Sequence, residues 1–174
     1  MSGSLSGADA EAVEVQLGRP PRDCVGVTHR CPCGCPDVVS TAPRLGDGSP
    51  FPTFYYLTCP RAVSAVGTLE AGGLMRDMSQ RLVDDERLAE RYADAHRAYV
   101  AARTQHGDVP EIDDVSAGGM PDRVKCLHAL VAQALAAGPG VNPLGDEALA
   151  QLPRWWANGP CVGPSAEGGV EPRP

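Results

Sequence analysis

Proline placement constrains this chain more than any other feature. Of 17 prolines, eight lie between Pro20 and Pro60, none between Arg61 and Val109, and nine from Pro110 onward. A proline inside a helix removes a backbone hydrogen bond and clashes with the preceding turn, so the proline-free middle is where helices belong. Leu74, Met75, Met78 and Leu82 recur there at helical spacing, as do Leu88, Tyr92, Ala95, Tyr99 and Ala102. Gly72–Gly73 separates the first of these helices from what precedes it, and Asp84 or Asp85 can cap the second.

The first third reads differently. Val25–Arg30, Asp37–Thr41 and Phe51–Thr58 are rich in β-branched and aromatic residues and predict three short strands. The last third predicts one strong helix over Pro121–Ala137, with Asp122 in its first turn and Gly138 at its end, and a shorter one after Asp146. The predicted fold class is α+β: a mostly helical single domain with a small antiparallel sheet in the first third. Residues 11–162 are expected to form that domain. Residues 1–10 and 163–174, made largely of Ser, Gly, Ala, Pro and Glu, are expected to be disordered tails.

A net charge of −7 argues against a protein that wraps nucleic acid or coats an anionic membrane. No apolar run approaches the roughly 18 residues of a membrane span. The start lacks the basic and apolar regions of a secretory signal, so the expected location is the cytoplasm. In a reducing compartment, clustered thiols more often serve as metal ligands or reactive groups than as disulfides.

That makes the cysteines informative. Five of the seven lie between residues 24 and 59: Cys24, Cys31, Cys33, Cys35 and Cys59. In Cys31-Pro-Cys-Gly-Cys-Pro36 the prolines and glycine forbid regular helix, so alternate side chains can converge from a loop. Cys59 ends a predicted strand. Cys31, Cys33 and Cys59, completed by Cys126 or Cys161, are the candidate ligands of zinc or an iron–sulfur cluster. The C-x-C-x-C spacing matches no standard zinc or cluster pattern, and buried thiols without metal are the competing reading. His29, directly before the loop, is the better histidine candidate. Cys126 and His128, two apart on the predicted Pro121 helix, point about 200° apart and cannot share an ion unless that helix is broken there.

A second candidate precedes that helix. Gly118 and Gly119 expose backbone N–H groups, and Arg123 and Lys125 add positive charge, so this turn could seat a small anion at a helix N-terminus. It lacks the Gly-Lys-Ser/Thr ending of a nucleotide-binding loop, and an ordinary glycine turn is the simpler reading. The chain has no Gly-x-Ser-x-Gly and no His-Glu-x-x-His.

The blocks Gln16-Leu-Gly-Arg-Pro-Pro, His29-Arg-Cys-Pro-Cys-Gly, Pro50-Phe-Pro-Thr-Phe-Tyr-Tyr-Leu-Thr-Cys-Pro60, Ser116-Ala-Gly-Gly-Met-Pro-Asp-Arg-Val-Lys-Cys-Leu-His128 and Asn142-Pro-Leu-Gly resemble a bacterial family. It is catalogued as the domain of unknown function numbered five hundred and one. The resemblance covers roughly residues 11–162. It implies a cytoplasmic protein common in actinobacteria, with no settled activity. It also implies genes beside a septum-formation initiator and an exopolyphosphatase-like enzyme, hence an association with cell division or phosphate metabolism. Cys31, Cys33, Cys59, Cys126 and His128 match the family pattern, with Arg123 and Lys125 beside them and Cys35 as an extra.

Two functions follow as expectations. The first is a metal-binding module acting through a protein partner. The second is a small enzyme for an anionic or phosphorylated substrate at the glycine turn, with Cys126 as nucleophile or ligand. A metal-free scaffold is the third possibility.

Overall fold

Asp85 begins the longest helix of the chain. Its carboxylate accepts from the Leu88 N–H at 3.1 Å and caps α4 (Glu86–Thr104), as the sequence predicts. The computed structural model describes residues 5–173. Ahead of α4 lie α1 (Gly7–Leu17), β1 (Cys24–Arg30), β2 (Pro36–Thr41), β3 (Tyr55–Leu57), α2 (Pro60–Ala71) and α3 (Leu74–Asp84). After it come α5 (Leu127–Ala137), α6 (Pro143–Gln151), β4 (Val162–Pro164) and β5 (Val170–Pro172). The fold is α+β, with a small antiparallel sheet in the first third.

That sheet has the order β1-β2-β3. β2 is its central strand and is buried along its whole length, pairing Arg30 with Pro36 on one side and Val38 with Leu57 on the other. Strand β3 is shorter than predicted. Phe51–Phe54 reaches it as an extended loop, with Pro52 unable to donate to a ladder, and only Tyr55–Leu57 pairs.

α5 packs against β3, with α2 and α6 against α5, and it is buried on nearly every face from Leu127 to Ala134. An apolar helix without a solvated stripe belongs at the centre of a core. Tyr92, Ala95, Tyr99 and Arg103 form the buried stripe of α4. Here the Tyr99 hydroxyl accepts from the Phe54 and Tyr55 N–H groups at 2.6 and 3.2 Å, tying helix to sheet. Arg103 is only 2% exposed, and its guanidinium donates to the carbonyls of Pro52, Ile112 and Val115.

Two expectations are corrected. The Pro121 helix begins at Leu127, with Pro121–Val124 spent in a turn that follows a cis Met120–Pro121 bond. The following helix starts earlier than predicted, at Pro143, because the Asn142 side chain accepts from the Gly145 N–H and caps it. Regular structure reaches close to both limits of the described residues. Ser6 caps α1, which starts inside the segment read as a tail, and β4 and β5 pair in the segment read as the other. Residues 1–4 and 174 lie outside the described residues.

Candidate functional site

The cysteine loop is the connection between β1 and β2. Cys31 donates its N–H to the Cys35 carbonyl at 3.0 Å, and Gly34 donates to the Cys31 carbonyl at 2.8 Å. Gly34 takes φ +91°, a conformation glycine adopts freely. Because β3 runs antiparallel to β2, its end returns to the start of β2, where Thr58 donates to the Asp37 carbonyl at 2.9 Å. Cys59 follows at once, as the residue capping the N-terminus of α2. The chain's last segment brings Cys161 to the same place, its backbone carbonyl accepting from the Arg173 N–H at 2.7 Å.

These three segments bring five thiols together. Cys161 lies against Cys59 and Cys35, and Cys33 lies against Cys31 and Cys35. Cys31, Cys59 and Cys161 are buried, whereas Cys33 and Cys35 are half-buried at the rim. None is in a disulfide. From α1, the Gln16 side-chain amide donates to the Cys161 sulfur at 3.2 Å and to the Pro36 carbonyl at 2.7 Å.

The thiols differ electrostatically. Hydrogen bonding from Cys161 lowers the Cys59 pKa, helped by the Ala62 and Arg61 N–H groups at the start of α2 and opposed by burial. That same contact with Cys59, together with burial, pushes the Cys161 thiol up. Burial pushes Cys31 up to about 12 and Cys35 up to about 11. Cys31, Cys35 and Cys161 thus hold their protons, and Cys59 ionises more readily than these three. A cation bound here would supply the missing positive charge and release protons.

Three further residues stand elsewhere. The His29 ring meets the buried Asp37 carboxylate at 2.7 Å through Nδ1. Cys24 lies at the start of β1, its thiol turned to the Arg22 carbonyl. Cys126 joins a separate group at the other end of α2.

In that group Cys126, with extended φ and ψ of −153° and 110°, precedes α5 rather than lying within it. The helical geometry that would hold Cys126 and His128 apart is therefore absent. Glu70, in the last turn of α2, takes the Leu127 N–H at 2.7 Å and meets His128 Nδ1 at 3.1 Å. His128 Nε2 faces the Val63 carbonyl, also at 3.1 Å. Ligand atoms of Glu70, Cys126 and His128 all lie within 4.8 Å of one another, the one such trio among the described residues. Contact with Cys126 raises the His128 pKa to about 9, and Glu70 adds to the effect against burial. Burial pushes the Cys126 thiol up, but His128 and the Ala129 N–H outweigh it, and the net shift is downward. Glu70 carries no local sequence signal, since its partners come from a helix far along the chain.

The glycine turn is a packed hairpin of backbone. Gly118 and Gly119 accept from the Lys125 and Arg123 N–H groups at 2.7 and 3.1 Å. Both glycines have positive φ, and a Cβ on Gly118 would strike Leu130 while one on Gly119 would strike the Arg123 carbonyl. The helix N-terminus that was to complete an anion seat stands instead at Leu127, where the Glu70 carboxylate already sits. A cavity of about 350 Å³ lies between this turn, β3 and α2, with Tyr56, Leu57, Val63, Gly118, Cys126 and His128 in its walls.

Fold and sites together define a cysteine-rich α+β domain with two groups of metal-type donors, one made of thiols and one mixed. The chain belongs to the family described as Protein of unknown function (DUF501), whose profile matches residues 27–150. No curated protein and no solved structure matches the chain. Gln16 and Cys161, which complete the thiol group from both sides, lie outside the matched span.

Proposed function

We propose that this is a metal-binding domain in which Cys31, Cys33, Cys59 and Cys161, with Cys35 at the rim, hold a zinc ion or an iron–sulfur cluster. The observation that carries this reading is the meeting of five unoxidised thiols from three distant segments at one end of the sheet. A buried cysteine is often only a small hydrophobe. Five so near one another, with a glutamine N–H directed at a sulfur, support metal binding over packing alone, since hydrogen bonds to sulfur are one way proteins tune thiolate-bound metal. Four protein ligands close a zinc site and leave no position for chemistry, so the role is to staple the hairpin, the start of α2 and the end of the chain.

Such a module acts through what its folded surface presents. The family resemblance directs the search for a partner to the products of neighbouring genes, the septum-formation initiator first.

Unfolding with and without a chelator tests the reading. In a Cys126→Ser background, which silences the mixed donor group, a strong chelator is expected to lower the unfolding midpoint, and to have no further effect once Cys31 and Cys33 are also replaced by Ser. Equal midpoints with and without chelator in the Cys126→Ser background would refute it. The absorbance of protein purified without oxygen separates a coloured iron–sulfur cluster from colourless zinc.

A further inference from the structure

We propose that Glu70, Cys126 and His128 form a second metal site, for a divalent cation of the zinc class, whose remaining coordination position opens into the adjacent cavity. It shares no donor with the thiol cluster and does not rest on that reading.

The donor set suits such an ion: one carboxylate oxygen, one sulfur and one imidazole nitrogen, all within 4.8 Å of one another. The surroundings select which atoms bind. His128 Nε2 points at the Val63 carbonyl, to which it can only donate, so the ring offers Nδ1 on the side of Glu70 and Cys126. Imidazole ligands commonly donate their second nitrogen to a backbone carbonyl in this way. The carboxylate is fixed too, because Glu70 accepts the Leu127 N–H at 2.7 Å. On binding, the ion displaces the proton between His128 Nδ1 and Glu70 and any proton on the Cys126 sulfur; both go to solvent.

Three protein ligands leave the ion's fourth position free, the arrangement of zinc sites that engage a further molecule. Cys126 and His128 line the cavity of about 350 Å³, and Tyr56, Leu57 and Val63 give it apolar walls. The molecule that fits is small, with an oxygen or sulfur donor on an apolar body. Three cysteines of the thiol cluster are buried, whereas Cys126 and His128 reach the cavity wall. The two sites would therefore divide the work, one stapling the fold and the other binding a ligand.

Zinc counting on metal-stripped full-length protein tests this, using equilibrium dialysis against Zn²⁺ alone. Glu70→Gln keeps an oxygen for the Leu127 N–H and so preserves the cap on α5. Losing even an outer partner costs metal sites about 10–100-fold in affinity, and losing a ligand costs at least as much. Wild type is expected to bind one more equivalent than Glu70→Gln or Cys126→Ser at the same free zinc. If both variants bind as much as wild type, the second site is overturned. A loss confined to Cys59→Ser overturns it and leaves the thiol cluster standing. Loss in Glu70→Gln but not in Cys59→Ser supports it and removes zinc from the thiol cluster. No zinc in wild type overturns this site.

Discussion

The amide of Gln16 donates to the sulfur of Cys161 across 3.2 Å, joining the first helix to the carboxyl-terminal segment. The same nitrogen donates to the Pro36 carbonyl at the start of β2. One side chain thus ties both ends of the chain to the cysteine hairpin. Replacing Gln16 with Leu removes both bonds and leaves a buried carbonyl unpaired, which costs about 1–3 kcal/mol. It is also expected to loosen metal at the thiol cluster by about 10–100-fold, as loss of an outer hydrogen bond does. Urea unfolding and chelator competition read the two effects separately.

Arg103 is a buried cation neutralised by carbonyl dipoles rather than by a carboxylate. Arg103→Met strands the carbonyls of Pro52, Ile112 and Val115 and is expected to destabilise the fold by about 3 kcal/mol or more. Urea unfolding checks it, and a loss below about 1 kcal/mol would mean that water replaces the guanidinium there.

The glycine turn separates packing from anion binding. Gly118→Ala places a methyl against Leu130 at φ +69° and is expected to cost about 1–3 kcal/mol. Arg123→Ala removes only an exposed side chain and is expected to stay within about 0.5 kcal/mol of wild type. Sulfate that stabilises wild type but not Arg123→Ala would instead support an anion seat on the turn.

His96 gives a pH dependence. Burial, with Arg103 and Arg97 nearby, lowers its pKa below the usual 6.5, and its Nδ1 meets the Ser116 hydroxyl at 2.8 Å. The folded protein then binds fewer protons than the unfolded chain, so the His96 contribution shrinks as pH falls through 6.5 and below. Between pH 7 and pH 5, wild type is expected to lose more stability than His96→Asn. Parallel curves for the two proteins would contradict this.

Elements specified by neighbouring residues were legible in the sequence. The helix capped by Asp85, the glycine break at Gly72–Gly73 and the antiparallel sheet all follow from local chemistry. What escaped depends on distant partners. The N-terminus of α5 is set at Leu127 by Glu70, which no local pattern around Pro121 announces. That shift makes Cys126 and His128 neighbours, so the mixed donor group could not be foreseen. The ties near the limits of the described residues are likewise to distant partners. Asp9 of α1 is held by Arg30 beside the cysteine loop, at 2.9 and 2.8 Å, and Arg173 by the Cys161 carbonyl. Composition could not reveal either tether. Among the thiols, the loop and Cys59 were visible as a cluster, whereas only the fold chose Cys161 over Cys126 as their neighbour.

X-ray absorption at the metal edge tests the central claim most directly. The sample is protein purified without oxygen in a Cys126→Ser background, which silences the mixed donor group. Sulfur at about 2.3 Å is expected to dominate the first shell of bound zinc, and sulfur neighbours around iron would mark a cluster. Metal surrounded only by nitrogen and oxygen, or none at all, would contradict a domain stapled by Cys31, Cys33, Cys59 and Cys161.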